Sequence, residues 1–133
     1  LPHTRAVNPL PIIVKSETLT LPLAPDSKQN YSRRAQDSTD GKNVTSEIQV
    51  IRLGDVALIS APGELFGEIG LAIENTSPFH TTFVAGYAND NLGYLCTETS
   101  TREGGYEPKN QISLETERRL LQTSRAALLA AKA

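Results

Sequence analysis

The 133 residues suffice for one domain with a buried core, and 38% hydrophobic with 21% charged side chains is the composition of a soluble globular unit. A formal net charge of −2 leaves no electrostatic footprint for nucleic acid, and no apolar run reaches the roughly 20 residues that a membrane-spanning helix needs. The single Cys96 excludes an internal disulfide framework and Cys-based zinc spacing, and the absence of methionine leads us to expect a piece of something longer.

The chain opens Leu1-Pro2-His3-Thr4 without the basic-then-apolar pattern of a secretory signal, and the three prolines of residues 1–11 read as an extended entry. From Ile12 to Leu23 the residues alternate. Leu19, Leu21 and Leu23 fall on one side and Thr18 and Thr20 on the other, the pattern of a half-buried strand. Residues 24–46 turn polar and predict either a surface excursion or a short helix around Tyr31–Gln36, with Arg33-Arg34 as solvated surface. Asn30-Tyr31-Ser32, Asn43-Val44-Thr45 and Asn75-Thr76-Ser77 match the N-glycosylation triplet and lean towards a secreted glycoprotein.

The stretch Glu47 to Phe66 organises the rest. Ile48 and Val50 alternate with Gln49 and Ile51, Gly54-Asp55 breaks the run, and Val56-Ala57-Leu58-Ile59 resumes it with apolar residues on both faces. That predicts strand, tight turn, and a strand covered on both sides, as in layered α/β structures. At Pro62-Gly63-Glu64 the chain switches into a predicted helix. Strand ends are where α/β folds keep their chemistry, which makes Glu64 the first candidate site residue.

Leu65, Phe66, Ile69, Ala72 and Ile73 recur at helical spacing to about Asn75, and close packing is the expected reason for Gly67 and Gly70. Ser77-Pro78 ends that helix. Thr81 to Ala85 is a further strand, with Phe83, Val84 and Ala85 suggesting burial on both faces. The Gly- and Asn-rich run Gly86–Tyr94 then falls at the same edge as Glu64 if the two strands run parallel. Leu95-Cys96-Thr97 reads as a short strand before a second loop, Arg102–Pro108. Ser113 is placed to cap a terminal helix, with Glu115 and Glu117 in its first turn and Arg125 and Lys132 towards its end. Leu114, Leu121 and Leu128, flanked by Leu120 and Ala127, mark its packing face. The expected fold class is α/β: a layered mixed sheet with packing helices, residues 1–133 forming one unit within a larger catalytic domain.

His3 and His80 are the only imidazoles, so a Ser-His-Asp or Cys-His arrangement is poorly supplied. His80 reads as structural or surface, and Cys96 as a small buried residue. Glu64, Tyr94 and Tyr106 stand out instead, a carboxylate and two phenols at a strand end or in Gly-rich loops.

These residues sit in a recognisable wording. Leu53-Gly54-Asp55-Val56-Ala57-Leu58-Ile59-Ser60-Ala61-Pro62-Gly63-Glu64, then Gly86-Tyr87-Ala88-Asn89-Asp90-Asn91-Leu92-Gly93-Tyr94 and Gly104-Gly105-Tyr106-Glu107, resembles the neutral/alkaline ceramidase family. The likeness is to the C-terminal part of that family's amidase domain and runs from Val14 to Leu129, strongest between 47 and 107. The resemblance implies a zinc amidase cleaving an N-acyl, ceramide-like bond. Glu64 matches its zinc-binding glutamate, Tyr94 the tyrosine that approaches the zinc, and Tyr106 the tyrosine that hydrogen-bonds the reacting amide or its oxyanion. It also implies a partner, the N-terminal remainder of the same enzyme, which in the family carries the zinc histidines and the active-site serine. The other reading of the chain is a noncatalytic secreted structural or interaction module that keeps the fold without a complete site.

Overall fold

Alternation settles the first two strands of the computed structural model, which describes residues 10–25, 38 and 40–133. Strand β1 (Ile12–Pro22) and β2 (Asn43–Leu53) pair antiparallel along their whole length, Ile12 opposite Leu53 and Pro22 opposite Asn43. Leu19, Leu21, Ile48 and Val50 are fully buried on one face, each removal from water contributing about 1.5–3 kcal/mol. The polar tract therefore ends sooner than expected. Asn43 to Ser46 already belong to β2, and Asp40 starts the strand by accepting from the backbone N–H of Lys42 and Asn43 at 2.8 Å each. The helix expected around Tyr31–Gln36, the Arg33-Arg34 pair and the Asn30 triplet lie outside the described residues.

Gly54 adopts φ +63°, the conformation that a two-residue hairpin loop with glycine in first place requires, and β3 (Val56–Ser60) folds back antiparallel to β2. A two-residue strand β4 (Glu64–Leu65) and helix α1 (Gly67–Asn75) follow, and β5 (Thr81–Ala85) then lies parallel to β3. The result is an α/β fold with a mixed four-stranded sheet in the order β1-β2-β3-β5. Short β6 (Tyr94–Leu95) pairs with β4, helices α2 (Glu98–Glu103) and α3 (Tyr106–Lys109) come next, and α4 (Thr116–Lys132) closes the chain. The loop expected over Arg102–Pro108 thus contains the end of α2 and most of α3.

Helices α1 and α4 bury Ile69, Ile73, Leu120, Ala127, Leu128 and Ala131 in the same core as the inner sheet residues. Arg52 reaches out of β2 to the Ala131 carbonyl at 3.0 Å, a cation at the helix C-terminus where the dipole favours one. Lys132 meets Asp55 of the hairpin turn at 2.7 Å.

The expected burial of β3 and β5 on both faces needs correction. Ala57 and Ile59 are buried, but Leu58 is 43% exposed and Phe83 57%. Val14, Ile51, Leu58 and Phe83 stand in register across the four strands, an apolar row that no described element covers. Two further expectations fall at α4. Leu114 lies before the helix and is exposed, and Ser113 is buried and takes the Glu115 N–H at 3.2 Å, with Glu115 itself in the N-cap position. No helix among the described residues is long and apolar enough to cross a membrane.

Candidate active site

The site is built by a backbone weave at the ends of β3 and β5. Because those strands run parallel, the turn 61–63 and the loop 86–93 leave the sheet at the same edge, and they bind each other. Tyr87 N–H donates to the Gly63 carbonyl at 3.0 Å, Ala88 N–H to Ala61 at 3.1 Å, and Leu92 N–H to Pro62 at 2.7 Å. Leu92 is fully buried and anchors the loop. The two segments come so close that a Cβ on Gly63 would stand 2.4 Å from the Gly93 carbonyl oxygen, so only glycine fits there.

That weave sets the position of Glu64. Its N–H donates to the Gly93 carbonyl at 2.8 Å, which pulls residues 64 and 65 into β4 against β6 instead of into a helix. Helix α1 starts three residues later than the sequence suggests, with Phe66 as N-cap and no side-chain cap bond. Gly67 and Gly70 are not there for tight packing. A Cβ at Gly67 would meet nothing within 4 Å, and both glycines line an open cleft of about 520 Å³ with Glu64, Leu65, Phe66, Leu71 and Tyr87.

In the parallel register of β4 and β6, Glu64 is opposite Tyr94. Tyr94 in turn meets Tyr106, the first residue of α3, ring centroids 5.9 Å apart and edge to face at 79°. The carboxylate and the two phenols singled out in the sequence thus stand in one chain of neighbours. Glu64 is exposed and Tyr106 is 69% exposed, so the rim opens to solvent. Burial of the Tyr94 ring, then the negative charge of Glu64, pushes its phenol above the ordinary value of 10.0, and it stays protonated at neutral pH.

Sequence reasoning passed over Tyr87. Its hydroxyl donates to Glu64 Oε2 at 2.5 Å, and this bond to the carboxylate, more than partial burial, raises its phenol as well. The available signal was a tyrosine following glycine in the loop, which carries no information on where the hydroxyl points. Cys96 is buried and its thiol is pushed up to about 11, first by burial and then by the charge of Glu107. It is an unreactive thiol, as expected for a small buried residue. His80 is exposed, its Nδ1 against Thr81 Oγ1 at 3.1 Å, and takes no part in the rim.

As a metal site the donor set is partial. A carboxylate oxygen is a normal zinc ligand, and Tyr94, opposite Glu64 in the register, offers a phenolic oxygen as a second donor. No group of three or more His, Cys, Asp or Glu side chains suited to a metal ion occurs among the described residues. The described residues fit one side of a zinc shell and not the whole of it.

Neither a protein-family model nor a curated protein sequence matches the chain. Its fold does have solved counterparts. A ceramidase complexed with C2 superposes with a TM-score of 0.59 at 23% identity, over 67% of this chain and 15% of that one. The neutral ceramidase from Pseudomonas aeruginosa does so with a TM-score of 0.56 at 22% identity, over 65% of this chain and 16% of that one. The chain therefore spans less than a fifth of the length of these proteins, and over two-thirds of its own length it has a ceramidase-like fold.

Proposed function

We propose that the chain is the C-terminal part of a ceramidase-like, zinc-dependent amidase that hydrolyses an N-acyl, ceramide-like amide bond. The observation that carries this reading is the meeting of Glu64, Tyr94 and Tyr106 at one open rim, at the edge where an α/β sheet presents its strand ends. Solved ceramidases with the same fold lend it support from outside the chain.

In this reading Glu64 and Tyr94 hold one side of a zinc ion, and the N-terminal remainder of the same enzyme supplies the other ligands. Bound zinc would contribute Lewis-acid polarisation of the amide carbonyl. Tyr106 would donate its phenolic O–H to the amide oxygen as negative charge develops on it. The Gly63–Gly93 weave keeps the Glu64 backbone fixed at the rim. The substrate is a lipid amide, the protein is secreted and glycosylated, and this segment alone is inactive because half of the shell lies elsewhere.

The test uses the polypeptide in which this segment is joined to its N-terminal remainder. Glu64→Ala should remove bound zinc and abolish release of fatty acid from a short-chain ceramide, while Tyr106→Phe should keep the zinc and lower kcat about 100-fold, the loss of one donor to a developing oxyanion. Zinc content unchanged by Glu64→Ala would overturn the proposal. The competing reading, a noncatalytic module, is favoured by the lack of a third protein ligand among the described residues, and the same zinc measurement decides against one of the two.

A further inference from the structure

Three observations single out Tyr87, which the proposed mechanism leaves unused. Its hydroxyl donates to Glu64 Oε2 at 2.5 Å, a short charge-assisted bond. Its backbone holds φ +53°, a left-handed conformation that bulky residues avoid and that tends to persist where the surroundings over-determine it. Those surroundings are visible: its N–H is tied to the Gly63 carbonyl at 3.0 Å, one residue before Glu64, and its ring lines the cleft beside the carboxylate. Tyr87 is therefore tied at two points, through its N–H to Gly63 and through its hydroxyl to the Glu64 carboxylate.

We propose that Tyr87 is a positioning residue for Glu64. The phenol engages Oε2 and leaves Oε1 for the cation, fixing the carboxylate in one orientation before the metal arrives. Among the described residues Glu64 has no other side-chain hydrogen bond. Ligating carboxylates commonly carry such an outer hydrogen bond, and loss of one typically lowers metal affinity 10- to 100-fold. An ordinary turn tyrosine would need neither the left-handed backbone nor a carboxylate at its tip. The inference rests on the zinc reading given above, and its test separates the two.

Zn2+ alone is the probe, titrated calorimetrically into the metal-free polypeptide that joins this segment to its N-terminal remainder, as wild type, Tyr87→Phe, Glu64→Gln and the double variant, with circular dichroism establishing that each is folded. Tyr87→Phe is expected to weaken Zn2+ binding about tenfold in the Glu64 background and not at all in the Glu64→Gln background. An equal loss in both backgrounds would reduce Tyr87 to a structural role and overturn the proposal, as would no loss in either. Binding unaffected by Glu64→Gln would sink the zinc reading, and the inference with it. Should Tyr87→Phe fail to fold, the Tyr87 Cζ resonance can be followed with pH in the wild type and in Glu64→Gln. A midpoint above the ordinary phenol range that returns to it in Glu64→Gln supports the bond; a midpoint that does not move overturns it.

Discussion

At the scale of single residues, Gly63 and Glu64 show how backbone contacts place the main chain of a site. Gly63 lets two chain segments approach to a distance that no side chain tolerates, and the same approach gives Glu64 its bond to the Gly93 carbonyl. Gly63→Ala should therefore destabilise the fold by about 1–3 kcal/mol, the usual range for overpacking a closed site, and a urea titration reads the loss. Gly67→Ala is the control: with open space over Gly67 and a helix-favouring residue gained, it should be neutral or stabilising by up to about 1 kcal/mol. The candidate trio was legible because Gly, Pro and Asn punctuate the chain beside each member. Tyr87 was not, because its role depends on where a left-handed loop residue aims its ring, and no local pattern encodes that.

Among the elements, alternation of apolar residues foretold β1 and β2, a continuous apolar run foretold β3, and the hairpin at Gly54 was marked by its glycine. What failed were elements too short to show a period. Two residues of β4 read as a helix start, and α2, Glu98–Glu103, buries none of its residues and so has no apolar stripe to read. Its start is specified by polar contacts instead, with Thr97 Oγ1 accepting from Ser100 N–H at 3.0 Å and Glu117 of α4 accepting from Glu98 N–H at 2.6 Å. The join between α4 and the hairpin carries a pH dependence. The Lys132 ammonium beside Asp55 holds its carboxyl below the ordinary 3.8. A depressed folded value means that the contribution is present above the unfolded pKa and is lost as pH falls through the folded one. The stability difference between wild type and Asp55→Asn should accordingly shrink as pH drops below about 4 and vanish at lower pH, as urea midpoints measured from pH 7 downwards would show. Were the difference to stay constant or to grow, the ion pair would not be its source.

For the molecule as a whole, the two sides of the sheet differ. Ile59 lies in the sealed core, and Ile59→Ala should cost about 2–5 kcal/mol. Phe83, on the uncovered apolar row, can be changed to Ser in the 133-residue chain with a loss of under about 0.5 kcal/mol. A comparable loss at both positions, measured by the same denaturation, would mean that the outer face is covered in solution. The α/β class was legible because both sheet faces are written in apolar residues; which face is covered was not, since burial depends on what lies opposite. The fold agrees with that of solved ceramidases over two-thirds of the chain. The central claim, that Glu64 presents its carboxylate to a zinc ion at the rim shared with Tyr94 and Tyr106, is tested most directly by a zinc-soaked crystal of the polypeptide that joins this segment to its N-terminal remainder, with anomalous scattering at the zinc edge. The account predicts a peak about 2.0–2.2 Å from a Glu64 carboxylate oxygen, on the side facing Tyr94. A map with zinc bound elsewhere and no peak at Glu64 would contradict it.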